Sequence, residues 1–164
     1  MGIGLGGIFN VTCYDKYGQV RWETRAPNIV VATGRRLANN VALAGSTQVA
    51  TWYVGLVGSS PTFASGDTAS NHAGWSEFVN YDEATRPTFT AVGSLDQVGN
   101  NASKASFAIN QSATVIGGAY IISDSAKSGS AGTLFAGASF TAGNKTAGAS
   151  DTITVEYTAS VTSS

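Results

Sequence analysis

His72 is the sole histidine of the chain, and Asp67, Glu77, Asp82 and Glu83 lie close enough in sequence to join it in a carboxylate–imidazole group. Such a group could carry a proton or hold a divalent cation. One imidazole is too few for zinc or non-haem iron, which take two or three nitrogen or sulfur ligands at fixed spacing. Calcium asks only for oxygens, but the chain holds no D-x-D-x-D-G loop. The expected role of His72 is that of a hydrogen-bonded or exposed loop residue, with no metal site around it.

Nucleophiles are abundant and unsupported. Nineteen serines are present, yet there is no G-x-S-x-G elbow and no strand–turn–helix frame to hold one. Gly2 to Gly7 has the glycine density of a phosphate loop, but no strand precedes it and no Lys-Ser/Thr pair follows it. Asp82 and Glu83 are adjacent, so on a strand they would face opposite ways, a poor geometry for a glycosidase pair. Cys13 is the single cysteine and sits in an alternating apolar run, which suits an inert core thiol and excludes an internal disulfide. No catalytic residue and no cofactor are expected.

Binding chemistry is concentrated in Gly74 to Thr90, where Trp75, Phe78, Tyr81 and Phe89 are interleaved with Glu77, Asp82, Glu83 and Arg86. Aromatic residues gathered in one segment suit a core plug or a contact hot spot. Core packing is expected for Trp75 and Phe78, whereas Tyr81 and Arg86 divide between structure and contact, Arg86 having three acids onto which its guanidinium could fork. A second candidate surface is electrostatic. Residues 1–36 hold Lys16, Arg21, Arg25, Arg35 and Arg36 against Asp15 and Glu23, leaving +3, while the remainder holds four bases and eight acids, leaving −4. That basic third reads either as a solvated face with dispersed charges or as a surface that docks on an acidic neighbour, a sister subunit included. Arg21, Arg25, Arg35 and Arg36, with Tyr81 and Arg86, are the candidate interface residues. Five bases over 36 residues are too sparse for a nucleic-acid surface.

The elements that must position these residues are mostly strands. Of 164 residues, 20 are Gly, 24 Ala, 19 Ser and 18 Thr, and only 12% are charged, about half the usual share. That composition excludes a coiled coil and disfavours a charged disordered chain. No run of ~18 apolar residues is present, so no membrane partner is expected. The N-terminal segment lacks the basic and long apolar regions of a secretory signal, and Gly6 stands where a myristoylation signal has Ser or Thr. A reducing cytoplasm is the expected site of synthesis.

Period-two alternation is clearest from Asp151 to Thr162, with Ile153, Val155, Tyr157, Ala159 and Val161 on one face. Shorter strands are expected at Ala105–Ile109 and Leu134–Phe140, over the apolar Thr114–Ile122 run, and at Val49–Val57. Gly117-Gly118 marks a bulge or a close backbone approach. Ile8–Tyr14 and Gln19–Glu23 read as a hairpin about Asp15–Gly18, with Asn28–Thr33 as a third strand. One helix is expected near residues 35–44, with Thr33 as its cap and Gly45 as its stop; a helical turn is expected near Thr68–Ala73. Gly58–Gly74 and Ser123–Gly132 read as surface loops, the first long enough to suggest a contact surface. With eight or nine strands and no repeat, the expected fold is all-β, a two-sheet antiparallel sandwich of the jelly-roll kind. Residues 1–27 are expected to form an N-terminal arm or hairpin and residues 28–164 the sandwich.

Asn28–Val31, Thr51–Val57, Gly66–Phe78 and Tyr81–Pro87 together resemble small structural proteins of tailed bacteriophages, and Gly117–Asp124 and Gly132–Ala136 continue the likeness. It spans most of residues 28–162 and brings no catalytic residues with it. The resemblance implies a virion component, most similar to a head decoration or cement protein: a capsid-surface subunit that bridges neighbouring copies of the major capsid protein, as a homo-oligomer with trimers favoured. A tail, neck or receptor-contacting virion component is the competing expectation. A carbohydrate-binding sandwich using Trp75, Tyr81 and nearby carboxylates is a third.

Overall fold

The computed structural model describes residues 3–163, so the expectations for Gly2 lie outside the described residues. Strands dominate, and they pair into two large antiparallel sheets packed as a sandwich. Sheet 1 is built on β1 (Ile3–Tyr14) and β14 (Thr152–Ser163), which run antiparallel through twelve residue pairs from Ile3↔Ser163 to Tyr14↔Thr152. β2 (Val20–Pro27) extends the sheet beyond β1. On its other edge β14 pairs with β9 (Ala105–Ala108) and then with β8 (Gln97–Gly99), which forms a hairpin with β7 (Val92–Ser94).

Sheet 2 has the order β3 (Ile29–Val30), β12 (Leu134–Ser139), β11 (Gly118–Ile122), β4 (Trp52–Val57) and β5 (Glu77–Phe78), with β6 (Thr88–Phe89) also on β4. A separate ribbon pairs β10 (Thr114–Ile116) with β13 (Lys145–Ala147). The alternation expected of the last strand is realised: Ile153, Val155 and Tyr157 are buried and meet Cys13, Val11 and Phe9 of β1 across the register. Phe107 and Ile109 join them, and Val54, Leu56, Ile121 and Ala136 supply the facing layer from sheet 2.

Residues 3–27 are not an arm, in contrast to the sequence expectation for residues 1–27. The hairpin is present, its Asp15–Gly18 connection closed by the Gly18 N–H donating to Asp15 O at 2.9 Å, but β1 is an inner strand of sheet 1. Phe9, Val11, Cys13 and Ala26 are core residues. The arm reading failed because alternation in β1 is diluted by Gly4, Gly6 and Gly7, and because only its partner β14 reveals its length.

The helix, α1 (Ala32–Leu43), starts three residues earlier than expected and without a side-chain cap, Val31 standing at the N-cap. Thr33 Oγ1 donates instead to Leu134 O at 2.7 Å, tying the helix to β12. Gly34 is the one buried helical residue, and a Cβ there would lie 2.3 Å from Phe135 O, so the close contact of helix and strand requires glycine. Gly45 follows with φ +68°, the left-handed stop expected of it.

Gly58–Gly74 is neither a free loop nor helical near Thr68–Ala73. It folds back over the outer face of sheet 2, where Phe63, Ala69 and Trp75 pack on Val57, Tyr120 and Leu134 as a second apolar cluster. Ala32 N–H donates to Ser65 O and Thr62 N–H to Gly74 O, both at 2.8 Å, so its backbone is paired without forming strands. Sheet 2 is thus covered on both faces, whereas the outer face of sheet 1 carries exposed Asn10, Glu23 and Arg25 beside half-buried Thr12 and Glu156.

Because β1 supplies one full edge of the β14 ladder, removal of residues 1–27 should abolish folding. The expected product is aggregated or lacks a cooperative thermal transition by circular dichroism; a soluble, cooperatively melting fragment would contradict the placement of β1.

Candidate functional site

The carboxylate–imidazole group does not assemble. Asp67 Oδ2 accepts from the Trp75 indole N–H and from the Ala64 N–H, both at 3.0 Å, which fixes the covering segment on sheet 2. His72 stacks on Trp75 at 3.8 Å between ring centroids, with its Nδ1 3.0 Å from Trp75 O. Asp82 accepts from Asn110 Nδ2, and both Glu83 oxygens accept from the Ala108 N–H. Among the described residues no three of His, Cys, Asp and Glu converge as a metal site would require. Each acid is engaged in holding the chain's own backbone or side chains: Asp67 within the covering segment, Asp82 on Asn110, and Glu83 on β9.

Arg86 is the centre of the most developed polar arrangement. It is 2% exposed and forks onto Glu77, Nε to Oε1 and Nη2 to Oε2 at 2.8 Å each. Nη1 donates to Asp124 O and Nη2 to Gly129 O, while the Ser128 N–H donates back to Glu77 Oε2 at 2.7 Å. One guanidinium thereby ties β5 to the 123–130 loop. Burial works against the Arg86 charge, but the Glu77 carboxylate outweighs it, and the net shift is upward.

Tyr81 is 1% exposed. Its carbonyl accepts from Lys127 Nζ at 2.7 Å, and the same ammonium lies 3.9 Å from the centre of its ring. Burial raises its phenol above the ordinary range. The division left open by the sequence therefore resolves towards structure for both: Tyr81 and Arg86 face inward and serve this chain's own packing. Trp75 is 8% exposed and enclosed by His72, Phe63 and Tyr120, so neither Trp75 nor Tyr81 offers a free ring face to a sugar.

The four remaining candidate arginines stay at the surface but do not form one patch. Arg21 and Arg25 lie on β2 in sheet 1, and Arg35 and Arg36 on α1, which packs on β12 in sheet 2. Arg21 is half exposed and pairs with buried Asp151 at 2.6 Å. Arg35 donates to Val30 O. Arg25 and Arg36 are exposed.

One surface has no counterpart in the sequence reading. The apolar faces of β1 and β14 run past the end of the core, so Leu5, Ala159 and Val161 line a cleft of about 600 Å³ between the sheets. Trp52, Phe89 and Phe135 form its far wall. At its mouth the β7–β8 hairpin turns on Leu95 and Asp96, and Leu95 is fully exposed at φ +51°. Glycine or asparagine ordinarily takes such a position, and the left-handed backbone costs a leucine about 1–2 kcal/mol. The only trace of this in the sequence is a leucine set among turn-forming residues in Gly93-Ser-Leu-Asp-Gln97.

The fold defines the chain as an all-β protein of the two-sheet antiparallel sandwich class. No protein-family model matches it, and no curated protein matches it in sequence.

Three variants test this description. Arg86→Ala strands the Glu77 carboxylate and should cost about 3–5 kcal/mol of stability in urea denaturation, whereas Glu77→Leu with Arg86→Met should cost much less. Cys13 is buried in sheet 1 with Asp151 beside its Sγ; burial first, then that carboxylate, pushes its thiol from 9.0 up to about 12. The folded thiol keeps its proton where the unfolded one releases it, so this contribution to stability is intact below pH ~9 and is lost as pH rises towards 12. Wild type should lose stability more steeply over that range than Cys13→Ala, as read from denaturation midpoints.

Proposed function

We propose that this chain is a structural protein of a tailed-phage virion, one that decorates or cements the capsid by bridging neighbouring copies of the major capsid protein. The observation that carries this reading is where the phage-like residues fall. Asn28–Val31 and Thr51–Val57 belong to β3 and β4, Gly117–Asp124 and Gly132–Ala136 to β11 and β12. Gly66–Phe78 forms part of the cover on those strands, and Tyr81–Pro87 contains the Arg86 clamp. The segments that carry the likeness thus gather largely on sheet 2 and the layer that covers it.

The remaining surfaces suit adhesion. Sheet 1 presents a polar outer face, built largely from Asn10, Thr12, Glu23 and Arg25 of the first hairpin, that supplies a contact surface. Many weak contacts repeated by symmetry add up through avidity, which is how a small subunit can hold a shell against internal pressure. A homo-oligomer, favoured as a trimer at three-fold positions, supplies that repetition. The place of action is the capsid surface.

Gel-band stoichiometry of purified virions is the test. A decoration protein should be present in numbers comparable with the major capsid protein and should rebind to stripped particles. A copy number matching tail parts would move the reading to the tail or neck, and absence from particles would remove it.

A further inference from the structure

We infer that the outer face of sheet 1 is a contact between two copies of this chain, stacked face to face about a two-fold axis. The axis runs across the strands along the row of Thr24, Val11, Val155 and Ala105. This contact is separate from the trimer favoured above and does not depend on the capsid role, because it concerns the purified chain alone.

The register of the sheet leads there. Thr24 pairs with Val11, Val11 with Val155 and Val155 with Ala105, so the four lie in one row across β2, β1, β14 and β9. That row faces the core, and the rows on either side of it face outward. One outward row is Glu23, Thr12, Thr154 and Ser106; the other is Arg25, Asn10 and Glu156, with Lys104 beside Glu156. A two-fold axis along the middle row lays each outward row of one copy over the other outward row of the second copy. Glu23 then meets Arg25 of the second copy, twice by symmetry, and Thr12 meets Asn10. Farther out, half-buried Ile8 and Tyr14 stand three residues either side of Val11 and fall on each other, as Thr152 and Thr158 do on β14. Acid meets base, apolar meets apolar and hydroxyl meets hydroxyl in a single register.

The charges select that register and that occupant. Glu23 and Arg25 are exposed, and among the described residues neither makes an ion pair within the chain. Lys104 and Glu156 already pair at 3.1 Å. These rows therefore carry two acids and two bases, so a partner of uniform charge gains nothing there, whereas a second copy neutralises both open charges. Moving the axis by one residue lays Glu23 on Glu23 or Arg25 on Arg25, and like charges directly opposed are destabilising. A groove of about 480 Å³ between these side chains has room for the guanidinium of the second copy. Four strands about 4.8 Å apart and seven residues of about 3.4 Å each amount to roughly 450 Å² of face per copy. A contact of that size is weak and reversible.

The experiment is sedimentation equilibrium of the purified full chain, up to about 1 mM and at low salt. Wild type should form a reversible dimer that added salt weakens. Arg25→Glu lays acid on acid and Glu23→Arg lays base on base, so each should weaken dimerisation by about tenfold or more. Thermal midpoints should stay close to that of wild type, because both positions are exposed. An equimolar mixture of the two variants sets two acids against two bases and should dimerise at least as tightly as wild type. The double variant, Glu23→Arg with Arg25→Glu, reverses the pair and should match wild type.

The two single variants move the net charge in opposite directions from −1, so a general charge effect would not weaken both. A wild type that shows no dimer overturns the inference. So does either single variant that dimerises like wild type, or a mixture of the two that stays monomeric. Particle binding plays no part in these measurements, so failure here and failure of the capsid role are told apart.

Discussion

The pairing of β1 with β14 joins the two ends of the chain along twelve residues, and the rest of the molecule is arranged around that closure. Nearly every apolar side chain on the inner face of sheet 1 is contributed by these strands or by one they pair with. Phe9 stacks on Tyr157 at 4.4 Å between centroids, and Phe89 of the opposing sheet meets the same tyrosine at 5.9 Å. The Tyr157 hydroxyl accepts from Asn28 Nδ2 at 2.7 Å, so the ladder also fixes the crossing from β2 into β3. Closing so long a loop costs entropy before any contact rewards it, which places slow, late formation of sheet 1 among the consequences of the topology.

The high content of small residues has a geometric reason. Tyr120 of β11 lies flat over Gly55 of its partner β4, where a Cβ would come within 2.1 Å of the ring, and Phe63 occupies the space above Gly137 in the same way. Sheet 2 therefore keeps its aromatics pressed against backbone, and the covering segment can approach close enough to bury them with few large residues of its own. Burial drives the Tyr120 phenol well above its ordinary range, and the Glu77 carboxylate drives it further in the same direction. Sparse charge follows from the same economy of space, because the charged groups that remain inside must be paired, as Arg86 and Asp151 are.

The class of fold, the last strand, the first hairpin and the helix were legible because each carries a local signal: period two from Ile153 to Val161, a turn at Asp15–Gly18, and Gly45 after an amphipathic run. The strands β5 to β8 and β13 were not, since each is two or three residues long and exists only where a partner aligns it. The covering segment Gly58–Gly74 was misread as a surface loop for a related reason. Its Gly, Ser and Thr residues look like loop punctuation, whereas Phe63, Ala69 and Trp75 are spaced irregularly and bury only because sheet 2 offers a flat apolar face. Of the site residues, the Glu77–Arg86 fork was visible as one of three pairings, and choosing among them needed the 123–130 loop that closes over it.

Inside and outside are resolved differently in this molecule. At Arg86 and Asn100 buried polarity is met by specific contacts: Arg86 donates to Glu77 and to two loop carbonyls, and Asn100 bridges the Val155 carbonyl and the Tyr157 N–H on β14. Those contacts are directional, and they hold irregular segments as firmly as a ladder would. The open end between the sheets has the opposite character, an apolar surface with few directional partners. Its lining meets by packing and not by directional contacts, and Leu95 protrudes fully exposed beside it. Directional contacts are thus concentrated where irregular segments must be held to the sheets, and apolar surface is left where the two sheets part.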